Sequence, residues 1–229
     1  LVERKKAKHG VVPIENSLEG SVTRTLDRLI EGKRSLVQIV GEFEFAIKHA
    51  LIYHRSVELN SITTVYSHPQ AIAQCREWLE DSLSYRLRLI ETHSTSEAVE
   101  VVAGLEKGTK EYSAAIGNRA AALKYGLSFI MIPDYRKNRT KFLILGLNAP
   151  KPGRLNKTSI MFSLADRPGA LYDALSPFKE GRINLTKIES RPSKQKAWEY
   201  YFFIDLSGHV LEMRVARALR LLKVQAKRF

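Results

Sequence analysis

Cysteine is nearly absent from these 229 residues, and the single thiol, Cys75, excludes an internal disulfide framework and fits a reducing compartment. Metal-binding patterns are missing too: the six histidines are scattered, with no HExxH motif and no Cys/His cluster, so no metal is expected. No apolar run approaches the roughly 20 residues of a membrane-spanning helix. No signal-peptide pattern opens the sequence either, so a cytoplasmic chain without a membrane partner is expected. Acidic residues are few, 24 against 37 Lys and Arg, for a formal net charge of +13. That excess alone favours nucleic acid, yet the basic residues are spread along the chain, gather only locally at 4–8, 136–141 and 214–228, and include no recognisable reading motif. Solvated basic faces account for them, no nucleic-acid partner is expected, and an anionic small substrate is consistent with the charge.

What the chain does contain is enough hydrophobic residue, 44%, to bury one large or two modest cores. Its most informative stretch is GVVPIENSLEGSV at 10–22. Val11, Val12 and Ile14 form a short apolar run ending in polar residues and a glycine, after which Val22, Leu26, Leu29 and Ile30 recur at helical spacing. This predicts strand, turn and helix. Glu15, Asn16 and Ser17 then leave the carboxyl end of the strand, where open α/β sheets hold their ligands. An acid, an amide and a hydroxyl in succession supply one proton carrier and two hydrogen-bonding groups.

Residues 35–40 and 43–47 read as two strands joined near Gly41, and 51–53 as a further extended segment. The β-branched run 62–66 leads through Ser67, His68 and Pro69 into Ala71, Ile72, Cys75, Trp78 and Leu79 at helical spacing. Ser67 or His68 caps this helix, Pro69 sits in its first turn, and the amides exposed there favour an anion. Ser67 and Gln74 lie almost two helical turns apart, so both can face one ligand. Strands at 87–90, 113–116 and 129–132 alternate with helices opened by Ser94 or Ser96 and by Asn118, and closed by Gly108 and Gly126. The alternation predicts a mainly parallel sheet with crossover helices. A polar turn at 134–138 then enters a strand at 140–146, where Thr140 and Lys141 place a hydroxyl beside a cation. Such a pair can donate to a leaving oxygen and attract a carboxylate.

Pro-Lys-Pro-Gly at 150–153 breaks both periodicities and marks a linker. Beyond it lie a strand at 158–164, a turn at 166–171 with Pro168 suited to the first helical position, and a strand at 182–190. Gly169 in that turn lets a ligand approach the backbone closely. After a polar loop at 192–196, Trp198, Tyr200, Phe202 and Ile204 alternate with Tyr201, Phe203 and Asp205; Leu211, Val215, Ala218 and Leu222 then share a helical face. The order β-α-β-β-α predicts a ferredoxin-like domain.

The words GVVPIENSLEGSV, SHPQAIAQC, NRTKF and IESRP, in this order, closely resemble prephenate dehydratases that carry a C-terminal ACT regulatory domain. The resemblance implies an α/β catalytic domain at about 1–149, two-lobed like type II periplasmic binding proteins. Lobe 1 would take about 1–41 and 134–147, lobe 2 about 42–133, with a hinge at Gly41 and Glu42. A ferredoxin-like βαββαβ ACT domain would follow at 156–229. The implied activity is a cofactor-free lyase reaction that decarboxylates and dehydrates prephenate to phenylpyruvate, with phenylalanine as allosteric inhibitor and a homodimer or homotetramer as assembly. Ser67, Gln74 and the run Thr140, Lys141 and Phe142 stand at positions that the family associates with its active site; with Glu15 and Asn16, Thr140, Ser67 and Gln74 are the expected catalytic residues, and Ser17, His68, Lys141 and Phe142 the expected substrate-binding ones. Lys141 replaces the family's arginine, which keeps the charge and loses the planar bidentate grip. Gly169, Ala170, Leu171, Asn184, Leu185, Glu189, Ser190 and Arg191 match a phenylalanine site at a dimer interface. Nothing before Gly10 matches the family's glycine-proline-x-glycine-threonine turn, and no fourth ACT strand follows the last helix, so a chain cut at both ends is expected. Arogenate dehydratase is the alternative within the scaffold, with a plastid as the alternative compartment. A catalytically inactive amino-acid sensor is the alternative of another class.

Overall fold

The computed structural model describes residues 1–32, 35–83, 87–106, 108–133, 138–194, 196 and 198–229. In chain order the elements are β1 (Gly10–Asn16), β2 (Gly20–Ser21), α1 (Thr23–Glu31), β3 (Gln38–Ala46), β4 (Ala50–Tyr53), β5 (Thr64–Ser67), α2 (Pro69–Ser82), β6 (Arg88–Glu91) and α3 (Thr95–Ala103). They continue with β7 (Ser113–Gly117), α4 (Arg119–Lys124), β8 (Ser128–Met131), β9 (Arg139–Gly146), β10 (Lys157–Ser163), α5 (Ala170–Glu180), β11 (Leu185–Pro192), β12 (Tyr200–Ser207) and α6 (Met213–Gln225). Two compact units result, one of residues 1–14, 22–43 and 142–229, the other of 15–21 and 44–141. Among the described residues no helix is long and apolar enough to cross a membrane.

In the unit of residues 15–21 and 44–141, a five-stranded sheet has the order β6-β5-β7-β4-β8. β5 is parallel to β6 and β7, whereas β4 lies antiparallel between β7 and β8. The expected parallel sheet therefore holds for four strands and fails at β4. Helices α2, α3 and α4 carry the chain between successive parallel strands, but no α-helix joins β4 to β5, so β4 can run the other way. Leu51, Ile62, Val65, Ile72, Cys75, Leu79 and Ile116 form one core under α2, and Ile52, Val99, Val102 and Ala115 form another under α3. Asn118 caps α4 as expected, its side chain accepting from the Ala121 N–H at 2.8 Å. Helix α3 is capped by Ser94 but closes at Gly104, four residues before the expected Gly108, so Leu105 lies beyond it. The expected turn at 134–138 falls mostly outside the described residues, since 134–137 are among those not described.

In the other unit, Leu26 of α1 packs with Ile14 and Leu143, and Phe203 borders this cluster. The break expected at Gly41 does not occur, because β3 runs through it without interruption. A Cβ at Gly41 would stand in ordinary contact with Ile144, 3.4 Å from its Cδ1, so neither a turn nor a tight approach calls for glycine there. The second family-like region forms an antiparallel sheet, β10-β12-β11, whose Phe202, Ile204 and Leu206 face α5 and α6. Its borders differ in detail from the sequence reading. Trp198, 83% exposed with a φ of 63°, precedes β12, Leu211 precedes α6, and Pro168 stands before the Gly169 cap of α5. The loop expected at 192–196 includes residue 195, which is not described. After α6 the backbone of Lys227 and Arg228 pairs with Ser163 of β10 in a single antiparallel bridge, where only the end of a helix was expected.

Two carboxylates fasten this unit. Asp27 of α1 accepts from Lys194 at 2.6 Å and from Arg191 of β11 at 3.2 Å, and the Lys194 hydrogen bond, with help from Arg191, holds its carboxyl below the ordinary value against the opposing effect of burial. Burial pushes the Glu199 carboxyl up most strongly of any single cause, yet Lys227, Arg228 and Ser193 together outweigh it and leave the group lowered. A lowered carboxyl stabilises the fold above its unfolded value of about 4 and loses that contribution as pH falls through its folded value. Thermal melts should therefore show a fall in midpoint on acidification, and Asp27→Asn should make that fall shallower. An identical pH slope in the variant would remove Asp27 from the account.

Candidate active site

Alternation along β1 and β9 sorts the sequence-predicted residues into two groups. Successive side chains point to opposite faces of a strand, so Asn16 and Thr140 meet on one face while Glu15 and Lys141 meet on the other. Asn16 Nδ2 donates to Thr140 Oγ1 at 3.0 Å and to Asn138 Oδ1 at 2.9 Å. Lys141 Nζ lies 3.5 Å from Glu15 Oε2, a partly exposed pair.

The first group belongs to a chain of amides whose orientation can be deduced. Asn16 Oδ1 accepts the backbone N–H groups of Leu18 and Glu19 at 2.9 and 3.2 Å, so its NH2 must face Asn138 and Thr140. Asn138 in turn presents its NH2 to Gln74 Oε1 at 2.9 Å. Gln74 Nε2 donates to Glu19 Oε1 at 3.1 Å, and His49 Nε2 lies 2.8 Å from Gln74 Oε1. Backbone donors at one end and a carboxylate acceptor at the other thus determine which way every amide points. Thr140 is only 8% exposed, and its oxygen serves as acceptor from Asn16. Among the described residues no acceptor meets its hydroxyl hydrogen.

Asn16, Gln74, Asn138, Thr140, His49 and His68 line a cavity of about 360 Å³ in the unit of residues 15–21 and 44–141. The first turns of α2 and α3 border it through His68, Gln70 and Ala71, and through Ser94 and Thr95. Helix N-termini carry free N–H groups and partial positive charge, which suit a carboxylate. His68 rather than Ser67 caps α2, its Nδ1 accepting from the Gln70 N–H at 3.2 Å.

The remaining predicted residues lie elsewhere. Ser67 is fully buried and donates to the Ile116 carbonyl at 2.9 Å; it stands before α2, not on it, and does not share Gln74's bonds. Ser17 exchanges bonds with the Arg139 backbone, its Oγ accepting from the Arg139 N–H at 2.9 Å. Phe142 belongs to the other unit and stacks on Phe43 at 5.3 Å. His49, Asn138 and Glu19 were missed. Asn138 immediately precedes Arg139 and Thr140 inside the NRTKF word and Glu19 lies inside GVVPIENSLEGSV, whereas His49 carries no local signal. Among the described residues, no group of three His, Cys, Asp or Glu is placed to hold a metal ion.

The residues matched to a phenylalanine site divide between faces as well. Gly169, with a φ of 78°, precedes Ala170 and Leu171 at the start of α5. Ser190 pairs with Phe202 on the helix-covered face, whereas Glu189 and Arg191 oppose Phe203 and Tyr201 on the other. Glu189 is held by Lys187 at 3.5 Å and Arg191 by Asp27. Leu185 pairs with Leu206, and the carbonyl of Asn184 accepts from the Ser207 N–H at 2.9 Å.

Comparison with known proteins agrees with these two regions. Residues 1–150 match the family model for prephenate dehydratase and 158–220 that for the ACT domain. A bifunctional chorismate mutase/prephenate dehydratase of Aquifex aeolicus is 47% identical over 225 residues, covering 97% of this chain and 59% of that protein. The chain thus spans a little over half the length of that bifunctional relative. A prephenate dehydratase of Methanocaldococcus jannaschii is 42% identical over 208 residues, covering 87% of this chain and 71% of its own. The crystal structure of a prephenate dehydratase in complex with L-Phe from Arthrobacter aurescens superposes with a TM-score of 0.85 at 32% identity, covering 98% of this chain and 73% of that one. With a dehydratase-family match over most of its length and an ACT match after it, this chain belongs to the prephenate dehydratase family.

Proposed function

We propose that this protein is a prephenate dehydratase of phenylalanine biosynthesis, with a dehydratase region at 1–149 and an ACT regulatory region at 156–229. The reaction converts prephenate to phenylpyruvate, carbon dioxide and hydroxide, which takes up a proton to become water. As the ring carboxylate leaves as carbon dioxide, its electron pair moves into the ring and expels the hydroxyl on the opposite carbon. Formation of the aromatic ring drives the step, so the protein needs to hold a flexible dianion and ease departure of the oxygen.

The observation that carries this reading is the Thr140 hydroxyl, whose hydrogen meets no acceptor among the described residues, in a cavity bordered by two helix N-termini. Asn16 occupies the hydroxyl oxygen as acceptor, which turns the hydrogen toward the leaving group and makes Thr140 the donor to it. Gln74 and Asn138 hold that orientation, while the starts of α2 and α3 receive carboxylates. Glu15 and Lys141 neutralise each other on the opposite strand face and have no assigned step. The direct test is to follow phenylpyruvate formation from prephenate, with arogenate as the parallel substrate. Faster turnover of arogenate would assign the runner-up activity, and turnover of neither would leave an amino-acid sensor.

For regulation, we propose a cytoplasmic homo-oligomer in which phenylalanine binds between ACT regions and inhibits. Nothing lies within 4 Å of a Cβ built at Gly169, but its φ of 78° strains any other residue. Gly169→Val should therefore disturb the start of α5 through the backbone and raise the inhibitory phenylalanine concentration roughly tenfold or more, while uninhibited kcat changes little. Unchanged inhibition in a rate assay would reject the site.

A further inference from the structure

Resting on that reading and deepening it, we propose that His49 is a positioning residue that holds the amide chain behind Thr140. Gln74 Oε1 has two neighbours, Asn138 Nδ2 at 2.9 Å and His49 Nε2 at 2.8 Å. Rotating the Gln74 amide by half a turn would set its oxygen against the Glu19 carboxylate and its NH2 against that of Asn138. Neither arrangement forms a hydrogen bond. Gln74 Oε1 is consequently an acceptor only, and His49 Nε2 must carry the hydrogen, in the neutral ring as in the charged one.

The restraint matters because the terminal torsion of a glutamine is soft and roughly two-fold. His49, immediately before β4, approaches from a different element than Asn138 or Glu19 and adds a second donor to Gln74 Oε1, which narrows the rotation about the orientation that those two already select. Through Gln74 and Asn138 that rotation sets the Asn16 amide, and through Asn16 the direction of the Thr140 hydroxyl. His49 also lines the cavity, and the role assigned to it is the one it has through the chain of amides, which the split between kcat and KM below separates from direct contact with substrate.

Two experiments on the full chain test the assignment. Nitrogen-15 NMR of histidine-labelled protein should show the neutral His49 ring with a pyrrole-type Nε2, the resonance being identified by its loss in His49→Gln. A pyridine-type Nε2 would overturn the proposal without reference to turnover. In the prephenate assay, His49→Leu should lower kcat roughly 10- to 100-fold with KM within about threefold. His49→Gln, which restores a terminal N–H donor at similar reach, should recover most of the loss. Parent-like kcat in the leucine variant, or equal impairment of both variants, would also overturn it. A parent protein that turns over no prephenate would reject the proposed function instead, leaving the NMR result to decide the role of His49.

Discussion

Thr140→Val should lower kcat on prephenate by roughly two to three orders of magnitude while KM changes only a few-fold, the loss typical of one missing donor to a developing oxyanion. Valine is close to threonine in shape, so the strand and the buried packing persist and the missing hydroxyl is isolated as the cause. Thr140→Ser keeps the hydroxyl and should retain activity within about tenfold, the deficit reflecting a side chain freer to rotate. Combining Thr140→Val with Asn16→Leu should cost little more than the worse of the two alone, because residues acting as one unit are not additive. Turnover of Thr140→Val within a few-fold of the parent would end the assignment of Thr140 as donor.

Gln74→Leu should produce the largest loss of stability among substitutions in the cavity wall. Gln74 is 8% exposed and Asn138 2%, so removing the amide leaves the Asn138 NH2 buried and unmatched, deprives His49 Nε2 of its acceptor and releases the Glu19 carboxylate. An unsatisfied buried donor costs about 1–3 kcal/mol, and the sum should appear in urea denaturation as a lower midpoint with little change in slope. Activity should fall as well, since the Asn16 and Thr140 orientations depend on this link. Gln74→Glu presents an acceptor to Asn138 but sets a second carboxylate against Glu19. It should be destabilised more at pH 7 than at pH 4, where protonation relieves the repulsion. A stability profile without that pH dependence would place Glu19 and Gln74 apart in solution.

Much of the architecture was legible in local pattern. The alternation of apolar runs with helical spacing located most of the strands and helices that build the two units, though not the two-residue β2 or the continuity of β3, because burial of one face imposes a period that a segment must carry in its own residues. Caps were legible for the same reason: Asn118 and Ser94 act on amides three positions away. The errors came where a residue answers to something distant. Gly41 looked like a turn, but β3 runs through it beside Ile144, a neighbour from far along the chain.

The site divided along the same line. The sequence by itself determined which residue types the chain could offer, and the four family words pointed to Asn16, Gln74 and Thr140, whose chemistry is a property of each side chain. Only the tertiary structure decided which of these groups share hydrogen bonds. Asn16, Gln74 and Thr140 lie on three separate elements, and their amides acquire a direction only when Asn138, Glu19 and His49 are brought beside them. Alternation along a strand separates Glu15 from Asn16 and Lys141 from Thr140, yet which face borders a cavity depends on what packs above it. A hydrogen bond requires both partners within about 3 Å, and that distance is created by the fold, not by proximity along the chain.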